Sequence, residues 1–192
     1  MDPKINTILR FIKEKKLKDA EEKCVEILHK YHNNPEFLNI FAIILFQLKK
    51  YDDAISKWKK SILLNNNFFN AYENLGSAYL ELKKYDEAIS NYDGAIKINS
   101  KSFKVFNNRG NALSKLNKLD EALLSYQKAI EINPNDIYGH IFKAHIFSQQ
   151  GNFKEALLNY NNAYDINPDH PLLLGYIVNT KTKICDWDDY QK

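Results

Sequence analysis

The sequence predicts an all-α solenoid, and three observations predict it. The chain repeats every 34 residues without insertion or deletion, so cuts at Met1, Pro35, Phe69, Phe103, Ile137 and Pro171 bring its pieces into register. Within each piece the apolar residues fall into two runs at the i, i+3, i+4, i+7 spacing of one helical face. Small and bulky residues hold fixed places: position 20 of the period is Ala20, Ala54, Ala88, Ala122 and Ala156, and position 17 is Leu17, Tyr51, Tyr85, Leu119, Phe153 and Trp187. A constant period of this size marks stacked helix pairs that work by offering surface. The repeats are 1–34, 35–68, 69–102, 103–136 and 137–170, and 171–192 is a sixth that stops early.

Repeat three shows the pattern in its clearest form. Positions 4, 7, 8 and 11 are Tyr72, Leu75, Gly76 and Tyr79, and positions 20, 24, 27 and 28 are Ala88, Tyr92, Ala95 and Ile96. This spacing predicts helix A over positions 2–14 and helix B over 18–30. Between them lies Lys83-Lys84-Tyr85. Asp86-Glu87 then follow, acids that suit a helix N-terminus. Position 8 (Ala42, Gly76, Gly110, Ala144) lets A and B approach. Position 27 (Ser61, Ala95, Ala129, Ala163) is expected to do the same toward the next repeat. Trp58, Tyr92, Tyr126 and Tyr160 at position 24 fill the space between. Asn65, Asn99, Asn133 and Asn167 end each helix B, followed in two repeats by Pro134 and Pro168, which cannot continue a helix.

Repeat one departs from the pattern, with Lys4 and Thr7 at apolar positions and Cys24 at the aromatic one. Helix A of repeat two, Ile40-Phe41-Ala42-Ile43-Ile44-Leu45-Phe46, is apolar on every face. Its own neighbours cover Phe41, Ala42 and Leu45. Ile40, Ile43 and Phe46 are then expected to line a surface with Ile5, Leu9 and Ile12, fitting an apolar segment of a partner or of a second copy, a homodimer through the N-terminal repeats. The alternative is that repeat one is rotated and covers the patch itself. Repeat six runs from Pro171 through Leu172, Leu173, Leu174, Tyr176 and Ile177 to Lys192, where helix B has barely begun. The expectation is a truncated repeat leading toward a further domain.

Composition limits the function. A net charge of +3 and a pI near 8.6 are mild, and the lysines form no stripe, so nucleic acid is not an expected partner. Cys24 and Cys185 lie too far apart to pair within one solenoid, which fits a reducing compartment. No apolar run approaches the ~20 residues of a membrane span, and the start lacks the apolar stretch of a signal peptide. A cytoplasmic protein without membrane contact is the expectation. No catalytic constellation, phosphate loop or cofactor motif stands out. His29 and His32 lack a third ligand. Asp186, Asp188 and Asp189 lack the glycine and glutamate of a calcium loop, so no metal is expected.

The run Tyr72…Leu75-Gly76…Tyr79…Ala88…Tyr92…Ala95 resembles the tetratricopeptide repeat family, and Pro134 matches the proline that ends its units. The resemblance covers essentially the whole chain. It implies a right-handed superhelix of helix-turn-helix units, binding protein or peptide in a concave groove. It places positions 2, 5, 6, 9, 12 and 13 of helix A on that groove. Asn70, Glu73, Asn74, Ser77, Lys104, Asn107, Asn108, Asn111 and Ser114 then face it, with His145 at position 9 of repeat five. An amide both donates and accepts, so a ladder of asparagines can grip a peptide backbone while asking little of its side chains.

The last segment, Cys185-Asp186-Trp187-Asp188-Asp189-Tyr190, resembles the junction of SPINDLY-type O-linked N-acetylglucosamine transferases, where such repeats lead into a nucleotide-sugar domain. That family also carries an asparagine ladder at position 6, matched by Asn6, Asn74 and Asn108 but not by Ile40, Phe142 or Tyr176. The resemblance implies a substrate-recognition region of a glycosyltransferase parent, itself without catalytic residues. A non-enzymatic assembly scaffold is the alternative. The chaperone-adaptor class needs a lysine at position 5, where this chain has Ile5, Asn39, Glu73, Asn107, Ile141 and Gly175.

Overall fold

A computed structural model describes residues 3–184, and among these every regular element is helical. The helices are α1 (Pro3–Lys13), α2 (Leu17–Tyr31), α3 (Pro35–Gln47), α4 (Tyr51–Leu64), α5 (Phe69–Glu81), α6 (Tyr85–Ile98), α7 (Phe103–Lys115), α8 (Leu119–Ile132), α9 (Ile137–Gln149), α10 (Phe153–Ile166) and α11 (Leu173–Lys183). Odd-numbered helices are helix A of each repeat and even-numbered ones helix B. Most begin one residue before the spacing placed them.

One turn recurs five times between A and B. Lys15, Lys49, Lys83, Asn117 and Gly151 stand in the same column with φ of 59°, 62°, 60°, 59° and 75°. In repeat three the N–H of Lys84 donates to Tyr79 O at 2.8 Å and that of Lys83 to Leu80 O at 3.0 Å. This pair of bonds is the Schellman closure, which needs a left-handed residue after the helix. Lys84 O then accepts from Ala88 N at 3.0 Å, opening the next helix. A single left-handed residue therefore reverses the chain. Side-chain caps are fewer: Asn34 Oδ1 accepts from Phe37 N at 2.7 Å and Asp136 from Gly139 N at 3.1 Å.

The chain divides into two compact units, Met1–Asn99 and Ser100–Lys192. In the first, α1 packs on α2, α3 on α4 and α5 on α6, with α2 against α3, α4 against α5 and α3 against α5. In the second, α7 packs on α8 and α9 on α10, with α8 and α7 against α9 and α10 against α11.

The alanines of position 20 are all fully buried. A β-carbon on Gly76 would lie 2.8 Å from the Tyr92 ring, and one on Gly110 2.5 Å from Tyr126, so these glycines are set by close helix approach. Cys24 is buried as a small hydrophobe, and burial pushes its thiol up to about 12. Ser61 is fully buried, and its hydroxyl donates to Pro35 O of its own helix A at 2.8 Å.

Candidate functional site

In the second unit α7 and α9 flank a pocket of about 420 Å³. Lys104, Asn108 and Asn111 line it from α7, with Phe103 at the start of that helix; Tyr138 and Phe142 line it from α9, and Asp136 just precedes that helix. A second pocket of about 200 Å³ shares Asn111 and Phe142 and adds Ser114, Tyr126 and His145. These two pockets gather Lys104, Asn107, Asn108, Asn111, Ser114 and His145, the predicted groove residues of repeats four and five. The five on α7 share one wall because positions 2, 5, 6, 9 and 12 fall on one side of helix A, and His145 lines the second pocket from α9.

Tyrosines of helix B bond groove-position residues of helix A within their own repeats. Tyr126 Oη donates to Asn111 Oδ1 at 2.8 Å, and Tyr92 Oη bonds Ser77 Oγ at 3.3 Å. Burial raises both phenols, Tyr92 to about 12, so they stay protonated donors. The His145 ring stands 5.0 Å from Tyr176 and 5.7 Å from Tyr160 between centroids, and this partial desolvation lowers its pKa.

Three residues of position 5 are buried. Asn39, Asn107 and Ile141 are 8%, 5% and 4% exposed, so these three lie deep beside the helix interface, while Ile5 and Glu73 are half-buried and Gly175 is exposed. Asn39 Oδ1 accepts from Trp58 Nε1 at 3.0 Å and from Asn74 Nδ2 at 2.9 Å. Asn107 Nδ2 donates to Asp136 Oδ2, tying α7 to the start of α9. These amides serve the frame. Neither Asn39 nor Asp136 stood out in the sequence; the place of Asp136 just before a helix start was the available signal.

In the first unit Asn74 and Ser77 border a pocket of about 160 Å³ with Ile43, Phe46, Trp58 and Glu81. Asn70 is exposed at the start of α5, and Glu73 is half-buried on the same helix. Of the expected apolar surface, Ile5, Ile12, Ile40, Ile43 and Phe46 are half-buried and Leu9 is 38% exposed. Phe46 packs on Tyr51 and Trp58, at centroid distances of 5.1 and 5.8 Å. His29 Nδ1 and His32 Nδ1 bond the backbone carbonyls of Glu26 and His29. His140, at position 4 of repeat five, is buried. Cys185, Asp186, Trp187, Asp188 and Tyr190 lie outside the described residues. No helix among the described residues is long and apolar enough to cross a membrane.

Tetratricopeptide repeat models match residues 103–136 and 139–170, and a TPR repeat model matches 76–117. A model of anaphase-promoting complex, cyclosome, subunit 3 matches 14–95. No curated protein matches the sequence. Among solved structures, MamA from Desulfovibrio magneticus RS-1 is 20% identical with a TM-score of 0.80, over 88% of this chain and 95% of that one. YrrB, described as a TPR protein with an unusual peptide-binding site, is 20% identical with a TM-score of 0.75, over 90% and 89%. A tetratricopeptide repeat protein from Parabacteroides merdae is 19% identical with a TM-score of 0.83, over 95% and 73%. At such identities the structures speak to fold alone. The repeat models support tetratricopeptide repeats over residues 76–136 and 139–170, and the solved structures support the helical fold.

Proposed function

We propose that this chain is a protein-interaction scaffold that holds an extended peptide in the groove of its second unit. The observation that carries this reading is the pair of adjoining pockets between α7 and α9, faced by Lys104, Asn108, Asn111 and Ser114. Asn108 and Asn111 each offer a donor and an acceptor, which is what peptide backbone requires. Tyr126 holds Asn111 by its oxygen, which orients the amide before a ligand arrives. The test is an array of extended peptides against wild type and Asn108→Ala/Asn111→Ala. Weaker binding across unrelated sequences supports backbone capture; unchanged binding refutes it.

Two finer readings rest on less. The Cys185–Tyr190 segment supports a glycosyltransferase parent for which these repeats recruit substrate; its warrant is the sequence resemblance, to which the family models and structural neighbours add nothing. Ile43 and Phe46, half-buried beside a small pocket, support contact with an apolar segment of a second copy of the chain. Sedimentation of wild type against Ile43→Asp decides it: a wild type that stays monomeric at high concentration removes the idea. A cytoplasmic setting is proposed on the sequence reading alone.

A further inference from the structure

We infer that the pocket between α7 and α9 is a selectivity pocket for a cationic side chain, an arginine of the bound peptide, with Asp136 as its counter-charge. The inference rests on the groove reading and adds a demand on sequence to it.

Asp136 is 8% exposed yet lines the pocket. Its Oδ2 accepts from Gly139 N and Asn107 Nδ2. No cation among the described residues pairs with it; the ion pairs lie elsewhere on the surface. A buried carboxylate gains most from a charged partner that brings its own donors. Beside it Asn107 Oδ1 is buried without a partner, so this wall holds more acceptors than donors.

The remaining walls fit the same guest. Phe103, Tyr138 and Phe142 line the pocket, with the Tyr138 and Phe142 rings 6.0 Å apart. Aromatic faces attract a guanidinium, which stacks flat while its fork of N–H groups reaches a carboxylate. At about 420 Å³ the space holds a long side chain. Lys104 at the exposed edge opposes a cation by repulsion. It therefore provides a sign test: neutralising it strengthens a cationic guest and weakens an anionic one.

The experiment titrates the full chain with three blocked octapeptides, alanine throughout except for one central arginine, glutamate or alanine, and follows backbone amide shifts. Asp136→Asn keeps the helix cap, since asparagine caps as well as aspartate. The expected result is preferential binding of the arginine peptide. Asp136→Asn should weaken it by roughly tenfold, the usual scale for losing a hydrogen bond to a charged group, and leave the alanine peptide unchanged. Lys104→Ala should tighten the arginine peptide. Equal binding of arginine and alanine peptides, both weakened by Asn108→Ala, overturns this inference while the groove reading stands. A glutamate preference lost on Lys104→Ala overturns it in favour of an anion pocket. If no peptide shifts these amides, both readings fall.

Discussion

Tyr126 touches two adjacent residues of helix A: its ring lies 2.5 Å from where a β-carbon on Gly110 would sit, and its hydroxyl bonds Asn111. One side chain thereby sets helix spacing through its face and groove chemistry through its tip. Tyr126→Phe keeps the face and removes the tip. The expected cost is about 1 kcal/mol in urea unfolding, the ordinary worth of such a bond, with weaker peptide binding because Asn111 is no longer held. Unchanged binding would show that Asn111 is oriented without it.

The same substitution should have opposite signs at two glycines. At Gly110 an added methyl meets the Tyr126 ring, and overpacking of this kind costs roughly 1–3 kcal/mol, partly offset by the ~1 kcal/mol helix preference of alanine. Gly175 in α11 has nothing within 4 Å of a new β-carbon, so Gly175→Ala should stabilise by about 0.5–1 kcal/mol. Thermal unfolding of the two variants checks the contrast; equal shifts would mean that close approach does not set position 8.

That contrast also shows what the sequence made legible. Position 8 is readable because Ala42, Gly76, Gly110 and Ala144 are all small. The left-handed turn residue was hidden, because three of its five occupants, Lys15, Lys49 and Lys83, are lysines without a left-handed preference, and only Asn117 and Gly151 favour that region. The groove was legible as a face of helix A, but its depth was not. Asn107 and Asn108 are adjacent and chemically identical, yet only Asn107 is turned into the α9 contact, to a partner, Asp136, that is 29 residues away. Periodicity places a residue on a side of a helix; it does not show which side chains the next helix will cover.

The hidden turn residue yields its own prediction. A non-glycine residue in the left-handed region costs about 1–2 kcal/mol relative to the right-handed one, and glycine escapes most of that. Lys83→Gly should stabilise by about 0.5–1 kcal/mol, its gain reduced by the extra freedom of the unfolded chain. Gly151→Ala, at the φ of 75°, should destabilise by about 1 kcal/mol although nothing crowds the site. Chemical denaturation with both variants reads this directly, and a destabilised Lys83→Gly would contradict it.

Cys24 links packing to pH. Its thiol is raised to about 12 by burial, from an ordinary value of 9.0. The folded state therefore favours the protonated form. That contribution is complete below pH 9, where both states hold the proton. It is lost as pH climbs from 9 toward 12, because the unfolded chain releases its proton first. At pH 10 the loss should be about 1 kcal/mol. Other groups titrate in that range, so the comparison is with Cys24→Ala, both in a Cys185→Ser background. The alanine variant pays a constant cost for its cavity and should show a shallower fall in stability above pH 9. The native thiol should also resist a disulfide reagent at pH 8, reacting only when α2 opens away from its neighbours. Rapid labelling of native protein, or parallel pH curves for the two proteins, would show that this position is not sealed.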